Sequence, residues 1–523
     1  MKKEIFSAMS VSNSKFSMSQ KEKVIVVGGG IGGLTAGALL ARYDYDVTIY
    51  DQAIVPGGCA STFQRKGFIF DVGATQVAGL EVGGIHQRIF QELELELPSA
   101  TICDPACAVF LPQEKQPIMV WRDPEKWQVE REGHFPQSGL FWRLIQTLFV
   151  ASWKFQSRDP ILPPRNLWDL QQLLQALRLD TLITVPFTLM TVADALKLCG
   201  VGNDKRLKTF LDMQLKLYSQ VGTEETALLY AATALSVSQA PQGLYHLQGS
   251  MQVLSDRLVE GLKKYGGKLQ MRHRVTQIHT ERGKAVGVTV QNLKTGESQQ
   301  EKADYIIGNL TVNDLINTTD KISPSYQQRV KKMPSPSGAF VIYLGVDIAA
   351  IPKNCPPHLQ FLYDYNGEIG EINSLFVSVS KPDDGRAPEG KATIIASSFT
   401  DVNLWWGISK EEYEALKQDY TQKAIARLSE YFNLTPENII HQETATPVTF
   451  YNYTAREKGI VGGVGQRLNT FGPFGFATRT PIKNLWIVGD STHPGEGTAG
   501  VSYSALTVVR QLNNEHTSFS SNS

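Results

Sequence analysis

Hydrophobic residues fall along this chain in more than one rhythm. Residues 24–27, Val-Ile-Val-Val, are a β-branched run suited to a strand buried on both faces. Residues 34–42 read as a helix, and residues 47–50, Val-Thr-Ile-Tyr, as a second strand. From about 91 to 240 helical spacing takes over. Trp142, Leu144, Ile145, Leu148, Phe149 and Trp153 form one apolar face, and Trp168, Leu170, Leu173, Leu174 and Leu177 continue in the same style. Residues 184–190 suit either the wall of an apolar tunnel or core filling. Between 242 and 309 the first pattern returns. Leu254, Leu258 and Leu262 predict an amphipathic helix closed by Gly266 and Gly267, followed by strands at 269–272, 285–290 and 305–307. Strand-like runs at 339–344, 359–363, 375–379 and 393–398 then dominate up to about 449, with an amphipathic helix at 411–432. A last strand at 484–490 leads into a helix at 502–512.

These changes of rhythm divide the chain. Residues 1–20 read as a disordered leader and 516–523 as a disordered tail. A nucleotide-binding α/β unit takes 21–90, 241–335 and 455–515. A helix-rich insert occupies 91–240, facing substrate or membrane, and a sheet of the substrate domain occupies 336–454.

Candidate chemistry begins between the first two strands. Gly28, Gly30 and Gly33 form GxGxxG. The first permits a tight turn, the second lets backbone approach a pyrophosphate, and the third lets the helix close on the strand. The helix then aims its N-terminal amides and dipole at the phosphates. Asp51 ends the second strand, where a carboxylate can hold ribose hydroxyls. Strand, glycines, helix, strand and acid arrive in order, and they mark a dinucleotide site. Gly57 and Gly58 follow as a second loop facing the cofactor. Near the C-terminus, Gly489 and Asp490 close a strand, and His493-Pro-Gly-Glu-Gly497-Thr498-Ala499-Gly500-Val501 opens a helix. No Ser-His-Asp, paired-carboxylate or metal-ligand spacing stands out, so hard chemistry falls to the cofactor.

Lys plus Arg and Asp plus Glu both total 51 in 523 residues, so the formal net charge is zero. That balance argues against a nucleic-acid partner held by bulk charge. The five cysteines, Cys59, Cys103, Cys107, Cys199 and Cys355, are odd in number and sparse, as expected in a reducing compartment. The leader has no apolar stretch of signal-peptide length, and no run of 18 or more apolar residues is available to span a bilayer.

The runs Pro56-Gly57-Gly58-Cys59-Ala60-Ser61-Thr62, Gly67-Phe68 and Phe70-Asp71-Val72-Gly73, together with the C-terminal motif, resemble the superfamily of FAD-dependent phytoene desaturases, carotene isomerases and amine oxidases. The resemblance covers residues 23 to about 513. It implies an α/β fold with a Rossmann-type, amine-oxidase-like FAD-binding domain and an inserted α+β substrate domain. It implies that backbone near Val275 meets the adenine and that Asp490 meets the ribityl chain. Gly489, Gly497, Thr498, Ala499, Gly500 and Val501 would then lie at the flavin ring. Many members carry Arg directly after the Gly pair. Cys59 stands there in this chain, which shifts that contact to Arg65. Within the superfamily the His-Pro-Gly turn and the run 244–254 are similar to cyanobacterial carotenoid 3′,4′-desaturases.

What the resemblance implies is a flavin-centred desaturation of the C3′–C4′ bond of an acyclic or monocyclic carotenoid, as in the making of myxol-type pigments. Hydride passes to FAD, and a quinone or oxygen serves as final acceptor. No side chain is assigned as catalyst, with His493 the one candidate. A flavin-dependent carotene cis–trans isomerase is the alternative, and a non-enzymatic prenyl-lipid carrier the third reading. A polyene substrate also implies a protein lying on the cytoplasmic side of a membrane. The helical insert would then dip into lipid, with Trp142, Trp153 and Trp168 near headgroup level.

Overall fold

A computed structural model describes residues 21–520. The expected leader and residues 521–523 of the expected tail lie outside the described residues. The chain opens with strand β1 (Lys23–Val27), helix α1 (Ile31–Arg42) and strand β2 (Asp46–Asp51). Three later strands join them: β3 (Lys268–Met271), β4 (Tyr305–Gly308) and β5 (Leu485–Ile487). The result is one five-stranded sheet in the order β3-β2-β1-β4-β5, parallel throughout. Val24, Ile25 and Val26 are fully buried, as a strand covered on both faces requires.

A three-stranded antiparallel sheet of His273–Glu281, Lys284–Asn292 and Ser298–Lys302 adjoins this layer. The sequence reading passes over the first and last of these strands. Their residues are polar and largely open to solvent, so no apolar alternation marks them.

The second large layer is a seven-stranded sheet. Its order is Ile439–Ala445, Gly338–Asp347, Lys391–Thr400, Ser374–Val379, His358–Leu362, Cys107–Phe110 and Ile118–Val120. Gly338–Asp347 lies inside it, and nine of its ten residues are buried. The helix Lys410–Leu428 begins with a reciprocal cap between Ser409 and Glu412. It lays Tyr420, Ala424 and Leu428 against Ile342, Leu344 and Ile394 of the sheet.

The helical stretch contains α2 (Gly139–Gln156), α3 (Leu167–Ala176) and α4 (Lys205–Ser219). In α2, Phe141, Trp142, Ile145 and Leu148 enter a core shared with Trp127, Phe210 and Leu211. Trp142 is 6% exposed and meets Trp127 edge to face, so the expectation that it sits at headgroup level is corrected. Residues 184–190 fit neither reading cleanly. Val185 and Leu189 face outward, while Phe187 and Met190 pack on the helical core.

Helix α3 carries its polarity the wrong way round for a helix on a water-soluble surface. Asp169 is 0% exposed, and its carboxylate accepts from Arg479 Nε at 3.1 Å and from Gln511 Nε2 at 3.2 Å. Gln172 also points inward and accepts from Arg510 at 2.7 Å. Leu167 is 85% exposed, and Leu170 and Leu174 are exposed with it. The final helix, α5 (Gly497–Ser520), begins before and ends after the expected 502–512. Its Val508 and Leu512 share a core with Leu34, Leu39 and Leu40 of α1. Each such leucine, fully buried, contributes roughly 1.5–3 kcal/mol.

Candidate functional site

Steric demands at the C-terminal end of β1 explain the first glycines. Gly28 takes φ +99°, and its amide donates to Tyr50 O at 2.8 Å. A Cβ on Gly28 would stand 2.9 Å from Asn309 O, and one on Gly30 would stand 2.9 Å from Asn309 Nδ2. A Cβ on Gly33 would overlap Gly28 O. Helix α1 starts with no side-chain cap and no acid in its first turn, so its leading N–H groups and dipole are open to an anion. At the end of β2, Asp51 accepts from the Gly29 and Ala53 amides, both at 2.6 Å. Burial pushes its carboxyl above the usual range, and those two amides hold it back.

The second glycine loop rests on the first. The Gly57 amide donates to Gly29 O at 2.8 Å, and a Cβ on Gly58 would lie 3.4 Å from Gly30 Cα. Gly57 takes φ +114°, and a Cβ there would meet Ser255 Oγ at 2.5 Å. Downstream, Asp71 accepts from the Met251 amide at 2.8 Å, and its other oxygen accepts from Arg386 at 3.0 Å. Asp71 of the Phe-Asp run thus holds both the Met251 backbone and a buried arginine from the loop between Ser374–Val379 and Lys391–Thr400.

Arg65 does not reach this cluster. It ends the strand Thr62–Arg65, stacks over Phe63, and pairs with Glu443 at 3.1 Å on the edge of the large sheet. The cation beside the C-terminal motif is Arg456. It donates to Asp490 Oδ2 at 2.7 Å and to Gly462 O at 2.9 Å. Burial works against the charge of this guanidinium, but Asp490 and the neighbouring Cys59 outweigh it and raise its pKa. Burial likewise raises the Cys59 thiol, against the pull of Arg456.

The two ends of the chain meet through Asn309, which follows β4. A Cβ on Gly32 would lie 2.9 Å from Asn309 Oδ1 and 3.4 Å from Val501 O, and one on Gly489 would lie 3.3 Å from Asn309 Oδ1. Gly489 donates to Ser504 Oγ at 2.9 Å, and α5 starts at Gly497 with φ +83° and no acid in its first turn. Gly500 lies so close to Gly495 O that a Cβ would stand 2.5 Å from it. Thr498 is buried, and Ala499 packs toward Gly79. Val275 stands opposite Val290 on the strand after β3, whose Met271 is in register with Asp51. Asn309 and Arg456 are absent from the sequence reading. The signal for Asn309 was its place, directly after a strand that could neighbour β1.

His493 packs between Phe471 and Tyr503, and its Nε2 meets Gln156 Oε1 of α2 at 3.1 Å. Burial lowers its pKa to about 4, so the ring is neutral near pH 7. A small cleft of about 50 Å³ lies between α4 and the large sheet, lined by Met213, Leu217, Leu375, Phe376 and Phe399, with Lys216 at its side. Burial lowers the pKa of Lys216, whose ammonium lies 5.5 Å from the Phe399 ring centre.

The geometry fits a dinucleotide: glycine cradles that a side chain would fill, an uncapped start to α1, and a strand-end acid. A family model described as flavin-containing amine oxidoreductase matches residues 31–513. Prolycopene isomerase 2 of an Oncidium hybrid cultivar is 28% identical over 523 residues, covering 98% of this chain and 87% of its own. A zeta-carotene-forming phytoene desaturase of Myxococcus xanthus is 25% identical, covering 94% of each. Among solved structures, putrescine oxidase bound to putrescine superposes with a TM-score of 0.61 at 13% identity, covering 95% of this chain and 99% of that one. An oxidoreductase from Methanosarcina mazei gives 0.61 at 17% identity, covering 93% and 100%. The two structures share the fold. The chain belongs to the flavin-containing amine oxidoreductase family and is an FAD-dependent oxidoreductase.

Proposed function

We propose that the protein acts on a carotenoid and desaturates the C3′–C4′ bond of an acyclic or monocyclic one. The observation that carries the substrate class is a likeness along nearly the whole chain to proteins named for carotenoid chemistry. Bound FAD supplies a hydride acceptor that no side chain can replace. In this reading the amides of α1 and the turn through Gly28, Gly30 and Gly33 hold the pyrophosphate. Asp51 holds ribose hydroxyls, backbone at Val275 meets the adenine, and Gly57 and Gly58 close over the nucleotide. Asp490 meets the ribityl chain, Arg456 takes the part expected of Arg65, and residues 497–501 bed the flavin with Gly489. His493 is a fixed, neutral wedge between α2 and α5 rather than a base.

Isomerisation is the second reading, and the 28% likeness to prolycopene isomerases favours it. The two part company in one assay. Given defined all-trans and poly-cis carotenoids, a desaturase lengthens the conjugated chain and shifts absorption to the red. An isomerase changes geometry at constant mass. An all-trans substrate returned unchanged, with poly-cis substrate converted, would exclude desaturation. A desaturase also needs its reduced flavin reoxidised, by a quinone or by oxygen.

The same proposal puts the protein on the cytoplasmic face of a membrane, where a polyene is available. No helix of the described residues is long and apolar enough to cross a bilayer. Support comes from α3, whose buried acid and outward leucines suit an apolar medium on its outer side.

A further inference from the structure

Glu496 occupies the turn between Pro494 and the first residue of α5. Its Oε1 accepts from the Gly463 amide at 3.1 Å, and its Oε2 accepts from Gln220 Nε2 at 3.0 Å. Gln220 ends α4 in a left-handed conformation, φ +65°. The carboxyl is thus clamped between the helical insert, the 462–463 loop and the start of α5. The charged and titratable groups that face it are Asp490 and Arg456, the Tyr230 phenol, and the Lys216 ammonium.

The arrangement leaves Glu496 without a cation of its own. Arg456 is already committed to Asp490 at 2.7 Å. The two groups that hold Glu496 directly, an amide side chain and a backbone N–H, are neutral. A second anion beside Asp490 is costly in such surroundings. Burial first, and Asp490 second, push the Glu496 carboxyl up to about 8, against the pull of Gln220, Gly463 and Arg456. It keeps its proton near pH 7. It does so one residue before the helix whose Val501 carbonyl lies against Gly32 of the dinucleotide turn.

We propose that Glu496 is the proton-holding group of the flavin site, giving its proton to the flavin when the ring gains negative charge and recovering one from water afterwards. The proposal rests on FAD being seated at this turn. The balance is simple. Substrate would lose hydride from one carbon to bound FAD, which takes up its two electrons. A proton leaves the neighbouring carbon to water, and the electrons of that C–H bond form the new C=C bond. Glu496 releases its proton to the reduced ring and becomes a carboxylate, and water returns the proton. Net transfer is two hydrogens from substrate to flavin.

The test uses the FAD-loaded protein without substrate. Visible spectra of the oxidised flavin are taken from about pH 6 to about pH 10. In wild type a one-proton spectral transition is expected near pH 8. In Glu496→Gln, with flavin content unchanged, it is absent. Gln220→Met removes a donor that steadies the carboxylate, so the transition moves to higher pH. A Glu496→Gln protein that titrates as wild type does overturns the proposal, as does a wild type with no transition. Should Glu496→Gln fail to hold flavin, Gln220→Met decides alone: an upward movement supports the assignment, and an unmoved transition overturns it. A wild type that holds no yellow cofactor would instead overturn the seating of FAD at this turn.

Discussion

Arg456, half-buried, and Asp490, buried, form an ion pair at 2.7 Å between the loop that precedes Gly462 and the strand-end motif that follows β5. Neither is close to the first glycine turn in sequence, yet together they set the charge beside the start of α5. Removing one partner strands the other. Arg456→Ala is expected to destabilise the protein by about 3–5 kcal/mol, the range for an orphaned buried charge. It should also lower FAD content. Arg65→Ala removes the exposed pair with Glu443 and the stacking over Phe63, and should cost about 1 kcal/mol with flavin retained. Urea denaturation and released flavin, measured for both variants, separate the two arginines. Loss of flavin in the Arg65 variant would reverse the assignment.

Asp51→Ala should weaken FAD binding without unfolding the sheet. It removes an acceptor for ribose hydroxyls, and each charge-assisted hydrogen bond is worth about 1.5–3 kcal/mol. The loss is read as a ten-fold or greater rise in the dissociation constant, since 1.4 kcal/mol is about a factor of ten. Gly33→Ala differs in kind, because its Cβ would overlap Gly28 O and force α1 off the strand. It is expected to abolish both flavin binding and soluble yield. A Gly33→Ala protein of normal yield and flavin content would contradict the close approach.

His86 is 0% exposed, neither ring nitrogen has a partner among the described residues, and burial lowers its pKa to about 4. Its ordinary value is 6.5. Between those two values the unfolded chain binds a proton that the folded protein refuses, so stability falls as pH drops through this window and is level above it. The loss is on the order of 3 kcal/mol by pH 4. His493 adds a term of the same sign. His86→Phe should flatten part of the acid limb in urea midpoints taken from about pH 8 to about pH 4. An unchanged limb would show that His86 is not a source of it.

For the membrane, the informative change is in α3 and not in the tryptophans. Replacing Leu167, Leu170 and Leu174 together by Gln should reduce flotation with liposomes while leaving flavin and stability near wild type, since all three are exposed. Trp142→Ala should behave oppositely and cost about 3–5 kcal/mol, as core tryptophans do. Wild-type protein that stays in the bottom fraction at moderate salt would remove the membrane from the reading.

What was legible in the chain was what local sterics and local periodicity impose. Gly28, Gly30, Gly33 and Asp51 form one strand–turn–helix–strand unit, and their demands repeat wherever that unit occurs. Arg456 and Asn309 answer no local rule. They reach the site because β4 and the 455–463 stretch return to it from far along the chain; the sequence places both stretches in the nucleotide unit but does not mark which of their side chains meet the site. Arg65 illustrates the converse. It is near the Gly pair in sequence, but its hairpin carries it to Glu443. For α3 the spacing of leucines gave the helix but not its facing, because an apolar stripe has the same period toward core or toward lipid. The signal that decides it is a buried charge, Asp169, on the opposite stripe.

The five-stranded sheet sets an order of events during synthesis. Its central strand β1 leaves the ribosome first, while β5 and the start of α5 leave among the last residues made. Until then Ile306 and Ile307 of β4 present an apolar, unpaired edge, and Asn309 lacks the Gly489 and Val501 neighbours that complete its surroundings. At about 5–20 residues per second this exposure lasts for tens of seconds. On the proposed seating of FAD, a nascent chain is expected to gain its cofactor only after release, and truncation at the carboxyl end is expected to lose flavin from a protein whose GxGxxG turn is intact.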